Sequence, residues 1–350
     1  MKIFNNNNFL AIDIGSYSIK FAEIKINKEK QIILENFGYT IIPPEIIING
    51  YIISLKIVVD YIKKLKKYYK IKAKKCGISL PGNKVIIKRF SVPQENLENL
   101  DELIKIEAEQ YIPYDLNDVS LDYDVIEKEN ETNEIEILLV GSKKEIIEDY
   151  LTILAENELM PYIADVDFFT LQNSFEYNYK GEISENSIYG ILNIGNQITN
   201  IIFLKGFEGL FYREANIGSF EITKNISKKL KISYNEAEKI KLTNFNLKEV
   251  KEATENFFKD LHKEITKSIE LFKNNFNIDN IDKLYLSGGG SMIKGMKQFF
   301  EISINSTKFE YFHPFKNFLL NKKIDKKYLE YIRPIFSICS GLSLRGLEID

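Results

Sequence analysis

The chain has 350 residues, of which 44% are hydrophobic and 28% charged, with a net charge of −3. That is length enough for two lobes with sizeable cores, and the near-balanced charge excludes a protein drawn as a whole to nucleic acid or anionic lipid. Two cysteines beside apolar runs (Cys76 and Cys339) and two histidines without metal-ligand spacing exclude a disulfide framework and a zinc site. The polar run at residues 5–8 and acidic Asp13 are unlike a signal peptide, and no stretch reaches the ~18 apolar residues of a membrane span. The expectation is a cytoplasmic protein in a reducing compartment.

In chain order, residues 9–14, 19–26 and 31–42 predict three strands, the first two joined by Asp13-Ile14-Gly15-Ser16-Tyr17-Ser18. Leu55, Val58, Val59, Ile62, Leu65 and Tyr69 recur at helical spacing and predict a helix over about 52–69. Its end carries Lys63, Lys64, Lys66, Lys67, Lys70, Lys72, Lys74 and Lys75. Anionic headgroups would suit such a run. The plainer reading, adopted from sequence, is a solvated helix end whose cations suit the dipole.

Residues 84–163 then predict an inserted β-α-β-β-α-β module. It comprises a strand at 90–92, a helix at 97–112 stopped by Pro113, strands at 120–127 and 134–141 around the polar loop 128–133, and a helix at 146–159. Strands at 188–194, 198–204 and 210–217 follow, with the turn Asn193-Ile194-Gly195-Asn196-Gln197-Ile198 and a helix at about 220–231. This β-β-β-α unit repeats the one at residue 9 about 180 residues later, which predicts a duplicated two-lobed α/β fold. Helices near 234–242 and 250–276, a strand at 283–286, the turn Ser287-Gly288-Gly289-Gly290-Ser291 and a helix from about 293 complete the pattern.

Four of these pieces suit a nucleotide. A carboxylate at a strand end with glycine two residues on (Asp13, Gly15) lets backbone N–H groups approach a phosphate while Asp13 holds Mg²⁺. Asn193 and Gly195 stand at the equivalent place in the second unit, so two hairpins would clamp a polyphosphate from both sides. A glycine-rich strand-to-helix turn (Gly288, Gly289, Gly290, Ser291) offers bare backbone to a nucleoside. Glu238 and Lys241 share one helix face and can bond ribose hydroxyls. Singly, each admits a plain structural reading: a hairpin turn, a flexible connection, a surface ion pair.

Together, in this order, they resemble the actin/Hsp70-like ATPase superfamily. Asp13-Ile14-Gly15 resembles its first phosphate hairpin, Asn193-Ile194-Gly195 its second, residues 287–291 its adenosine motif, and Glu238 with Lys241 its A-E-x-x-K pair. Within it, residues 104–113 with Leu121-Asp122-Tyr123, residues 159–167, and Gly341-Leu342-Ser343-Leu344-Arg345-Gly346 resemble stretches of the PilM family of type IV pilus assembly proteins. The likeness spans about residues 9–347.

The resemblance implies a first lobe from 1–83 plus 164–186, an inserted subdomain at 84–163 placed as in the cell-division protein FtsA, and a second lobe from 187–350 whose outer part is 218–280. It implies ATP and Mg²⁺ in the interlobe cleft. Contacts would come from Asp13, Gly15, Ser16, Tyr17, Ser18, Lys20, Asn193, Gly195, Asn196, Thr199, Gly218, Glu238, Lys241, Gly288, Gly289, Gly290 and Ser291. Asp13 is the implied metal ligand, and Asp13 and Asp167 the implied catalytic carboxylates. The implied partner is the N-terminal cytosolic peptide of a PilN-like single-span membrane protein, bound near residues 85–90 and the helix 97–112, with a pilus motor ATPase as a further partner. Localisation would be peripheral, at the cytosolic face of the inner membrane.

The family pattern has Asp where this chain has Asn193, and an amide cannot accept the proton of an attacking water. The expectation is ATP binding with slow or absent hydrolysis. An active ATPase or kinase of the same fold, or an FtsA-like division protein, is the alternative. A kinase would need a further acid/base, and the FtsA-like reading expects a C-terminal amphipathic helix beyond residue 350.

Overall fold

The computed structural model describes residues 8–93, 100–126, 134–304 and 307–347. The predicted loop 128–133 and the start of the helix predicted at 97–112 lie outside the described residues.

Three strands open the chain: β1 (Asn8–Ile14), β2 (Ser18–Ile26) and β3 (Ile32–Ile41). They pair antiparallel, in a register that sets Asp13 opposite Lys20. A short hairpin, β4 (Ile47–Ile48) and β5 (Tyr51–Ile52), follows where the sequence reading began a helix. The helix α1 (Leu55–Tyr69) therefore starts three residues later than expected, buries Val58, Ile62 and Leu65, and ends where Lys70 turns left-handed at φ 54. β6 (Lys75–Leu80) returns parallel to β1.

The inserted unit consists of β7 (Val85–Pro93), α2 (Leu100–Tyr111), β8 (Val119–Ile126) and β9 (Glu134–Lys143), with strand order β7-β9-β8. Leu100, Ile104 and Ala108 of α2 share a core with Ile137 and Leu139. The stretch 84–163, read from sequence as one module, divides here. α3 (Lys144–Glu156) buries Ile146, Tyr150, Ile153 and Leu154 in the core beneath α1, and β10 (Met160–Val166) joins the first sheet beside β6. Periodicity reports that a helix has an apolar face, not which sheet that face will meet.

α4 (Asp167–Tyr179) then leaves the first lobe's sheet. The second lobe repeats the plan with β11 (Ile188–Ile194), β12 (Thr199–Lys205) and β13 (Glu208–Ala215). Three helices stand above it: α5 (Phe220–Leu230), α6 (Tyr234–Thr243) and the long α7 (Lys248–Phe276). Ser233 and Glu236 form a reciprocal capping box that fixes the start of α6. β14 (Lys283–Ser287) lies parallel to β11, and α8 (Met296–Ser303) and β15 (Lys308–Tyr311) finish the sheet in the order β13-β12-β11-β14-β15.

The chain then recrosses. β16 (Leu319–Leu320) pairs with β3 of the first sheet, and α9 (Lys326–Ile332) leads into α10 (Ser337–Arg345). Cys339, Leu342 and Leu344 of α10 pack with Phe9, Ala11 and Ala22 of the first lobe. Conversely, Phe168, Leu171, Phe175 and Tyr179 of α4 pack with Ile191, Ile202, Leu204 and Tyr285 of the second. The covering helices are thus exchanged: α4 (Asp167–Tyr179) packs on the second lobe's sheet and α10 on the first's, while residues 164–166 stay in β10 of the first sheet. Both cysteines are free and buried, and burial pushes the Cys76 thiol up to about 12.

Candidate functional site

A cavity of about 640 Å³ separates the lobes. Both hairpins enter it with the same construction. In the first, Gly15 N donates to Ser18 O (3.1 Å), leaving Ser16 and Tyr17 at the tip. In the second, Gly195 N donates to Ile198 O (2.9 Å), leaving Asn196 and Gln197. Neither glycine has positive φ. Their lack of a side chain serves close approach instead: a Cβ on Gly15 would lie 3.2 Å from Lys20 Nζ, and one on Gly195 would lie 2.6 Å from Ile198 O.

The register of β1 and β2 makes Asp13 and Lys20 a cross-strand pair, with Nζ to Oδ2 at 2.8 Å, both side chains largely buried. Burial alone would lower the Lys20 ammonium, but the Asp13 charge outweighs it and holds Lys20 above its ordinary value. Asp167, first residue of α4, receives Ser79 Oγ at 2.5 Å. Burial, then the charge of Asp13, push its carboxyl up to about 8. Glu214 of β13 faces the same cavity and is pushed up to about 7, chiefly by burial. Among the described residues no group of three or more His, Cys, Asp or Glu side chains is arranged to hold a metal ion.

The second lobe supplies the rest. Asn193 Oδ1 accepts from Ser287 Oγ (3.2 Å), so its amide is tied to the neighbouring strand. Gly288 has φ 79 and a Cβ there would meet Ile194 O at 2.4 Å; on Gly290 it would meet Ile194 Cγ2 at 2.4 Å. Gly289 differs: exposed to the cavity, its Cβ would find nothing nearer than 3.9 Å. The protein itself requires the outer two glycines but not the middle one, which leaves a bare surface for a flat ligand. Glu238 and Lys241 pair at 2.7 Å with side chains only 13% and 11% exposed, and Thr223 bonds both. They are a buried cluster in the cavity wall, not the surface pair of the plain sequence reading. Tyr17 of the first hairpin is raised by burial and then by the Glu238 charge, so the two lobes touch across the cavity mouth.

Of the residues expected at a nucleotide, Asp13, Gly15, Ser16, Tyr17, Ser18, Lys20, Asp167, Asn193, Gly195, Asn196, Glu238, Lys241, Gly288, Gly289 and Gly290 line the cavity. Thr199, Gly218 and Ser291 stand behind it. Thr199 Oγ1 donates to Ile217 O (2.7 Å) and Ser291 Oγ to Gly288 O (2.7 Å). A Cβ on Gly218 would meet Asn196 O at 2.3 Å, so this glycine lets the start of α5 sit against the second hairpin. Sequence reasoning missed Ser79, Asn200 and Glu214, which also line the cavity. Asn196 Oδ1, Asn200 Oδ1 and Glu214 Oε2 are buried acceptors without a hydrogen-bond partner among the described residues. Three orphaned acceptors around one cavity fit the water shell of a bound cation or the hydroxyls of a sugar.

Two β-β-β-α lobes facing each other across such a cleft, with exchanged covering helices, define the actin-like ATPase fold. The family model for type IV pilus assembly protein PilM matches residues 11–347, and the chain belongs to that family. Among solved structures it is similar to a chain of the PilM-PilN type IV pilus biogenesis complex, at 23% identity and TM-score 0.86 over 97% of this chain and 98% of that one. It is similar also to the ethanolamine utilization protein EutJ of Carboxydothermus hydrogenoformans (10%, 0.59, covering 96% and 89%). MreB 5 of Spiroplasma citri bound to AMPPNP is a third (11%, 0.55, covering 99% and 97%). No helix among the described residues is long and apolar enough to cross a membrane.

Proposed function

We propose that this chain is an ATP-holding scaffold of a type IV pilus assembly complex that captures the N-terminal cytosolic peptide of a PilN-like membrane protein. The observation that carries the reading is the family match over nearly the whole chain, on a fold whose cleft keeps both hairpins, a pre-placed Lys20–Asp13 pair and a bare Gly289. Mg²⁺ on or near Asp13 would neutralise phosphate charge. Lys20 and the hairpin amides would orient the phosphates, and Glu238 with Lys241 the ribose. Asn193 is an amide bonded to Ser287 and offers no base, so turnover is proposed to be slow or absent.

The peptide is proposed to lie near β7 and α2. Val85 and Ile87 are committed to interlobe packing, and Ile86 and Phe90 pack toward α2. That leaves Lys88, stacked over Tyr111 at 4.4 Å, and exposed Ile106 and Tyr114 as candidate contacts. Through that peptide the chain would be held at the cytosolic face of the inner membrane.

The test is retention of labelled ATP with Mg²⁺, analysis of the bound nucleotide, and titration of the partner peptide. Intact ATP kept by wild type and lost in Asp13→Lys supports a nucleotide-locked scaffold, and bound ADP with released phosphate makes it an ATPase despite Asn193. Lys88→Glu should lose the peptide and keep ATP. Loss of both together would mean the groove is misplaced.

A further inference from the structure

Residues 55–75 hold nine lysines and one acid, Asp60, a local net charge of +8 in a chain whose remainder therefore carries −11. Charge this segregated distinguishes one face from all others, which the near-zero total conceals. Lys63, Lys64 and Lys67 share the exposed stripe of α1, and Lys70, Lys72 and Lys74 continue it into the connection to β6. Lys66 and Lys75 have work inside the fold: Lys66 Nζ donates to Asn157 O, and Lys75 lies 4.3 Å from the centre of the Tyr162 ring. Lys63, Lys64, Lys67, Lys70 and Lys74 make no ion pair among the described residues. The acids nearby do not cancel the patch. Glu23 is buried and bonded to the amides of Lys72 and Ala73, and Glu156 and Glu158 stand at one border, Glu158 acting on Lys66.

Two large side chains stand in the open among these cations: Tyr68 is 79% exposed and Met160 58%. Met160 N donates to Lys74 O (2.8 Å), which fixes it against the lysine segment. The location follows from strand direction. β1, β6 and β10 run parallel, so their C-terminal ends bring Asp13, Ser79 and, just beyond, Asp167 to the cleft. Lys75 and Met160 begin their strands at the other pole, roughly 20 Å away.

We propose that this pole of the first lobe is a docking surface for an anionic phospholipid bilayer. Unpaired lysines around a tyrosine and a methionine suit a surface with phosphate outside and hydrocarbon beneath. A nucleic acid offers the first but not the second. All the cations are lysines, which make diffuse contacts with mobile headgroups, rather than the forked arginines of fixed bidentate recognition. The −11 elsewhere is repelled by the same surface, so the chain docks in one orientation, with the cleft facing away and open. This contact is separate from the proposed peptide tether and stands or falls without it.

Flotation of the full chain with vesicles tests it. The protein should rise with phosphatidylcholine vesicles containing phosphatidylglycerol, stay down with phosphatidylcholine alone, and be released near 1 M salt, where the screening length is about 3 Å. At roughly fivefold per lysine, Lys63→Glu with Lys64→Glu and Lys67→Glu should lower the partition coefficient at least ~100-fold. Replacement of the same three by Arg should retain binding, and Tyr68→Ser should weaken it several-fold. Unchanged melting of each variant excludes misfolding. Equal flotation on both vesicle types, or wild-type binding by the triple Glu variant, overturns the proposal. So does tighter binding to a double-stranded oligonucleotide that Tyr68→Ser does not weaken.

Discussion

Gly341 of α10 meets the Thr170 carbonyl of α4 so closely that a Cβ there would lie 1.6 Å from the oxygen. The two exchanged helices cross at this point, beside a hydrogen bond from Ser174 Oγ to Ser340 Oγ at 3.1 Å. Gly341→Ala must push the helices apart and should cost about 3 kcal/mol. Ser340→Ala, which removes only side-chain hydrogen bonds, should cost about 1 kcal/mol. Urea unfolding of the two variants checks the ranking. Equal midpoints would mean that the crossing yields without penalty.

The glycine turn gives a test that separates folding from binding. Gly288→Ala and Gly290→Ala collide with Ile194 and should both lower the melting temperature. Gly289→Ala has room and should melt like wild type while losing nucleotide, about tenfold in Kd, because its methyl group stands where the ligand would lie. Calorimetric titration with Mg-ATP beside thermal melting reads both. A Gly289→Ala protein that binds normally would place the nucleoside elsewhere.

Lys20→Met leaves Asp13 buried without its cation and should destabilise the chain by about 3 kcal/mol. Adding Asp13→Asn should recover most of that stability while ATP retention stays lost. Stability and retention measured across the double-mutant cycle distinguish a structural pair from a binding one.

Glu214 sets a pH dependence. Its carboxyl titrates near 7 in the folded chain against 4.5 ordinarily. The folded state therefore holds a proton that the unfolded chain has released, and stability falls as pH rises from about 4.5 to about 7, then levels. Glu214→Gln should remove this term. Its advantage over wild type should grow from near zero at pH 4 to at most about 3 kcal/mol at pH 8. Denaturation midpoints across that range are the check, and a pH-independent difference would show that Glu214 is ionised in the fold.

What the sequence disclosed was what is local or periodic. The two hairpins, the repeat, the glycine turn and the helix faces are written in neighbouring residues, which point to Asp13, Gly15, Asn193, Gly195, Glu238, Lys241, Gly288, Gly289 and Gly290, whereas Lys20 and Asp167 came with the family resemblance. Ser79 and Glu214 are ordinary strand residues whose place in the cleft depends on sheet register and on the apposition of the lobes. The exchange of α4 and α10 was hidden for the same reason. The β4–β5 hairpin did carry a readable signal: Asn49-Gly50 between two apolar pairs, with φ 49 and 80, is the two-residue turn that favours tight hairpins.

The recrossing of the chain also bears on how the protein is made. The sheet that presents Asp13 is complete in strands once β10 has emerged, apart from β16 at its edge. Yet Phe9, Ala11 and Ala22 remain bare on one face until α10 is synthesised more than three hundred residues after β1. During translation the first lobe must wait with an apolar surface open, and emergence of α10 rather than completion of its own strands is the event that seals it. A ribosome stalled before residue 337 would display a nascent chain that chaperones bind and proteases cut. One stalled on a linker beyond residue 347 would display a closed protein.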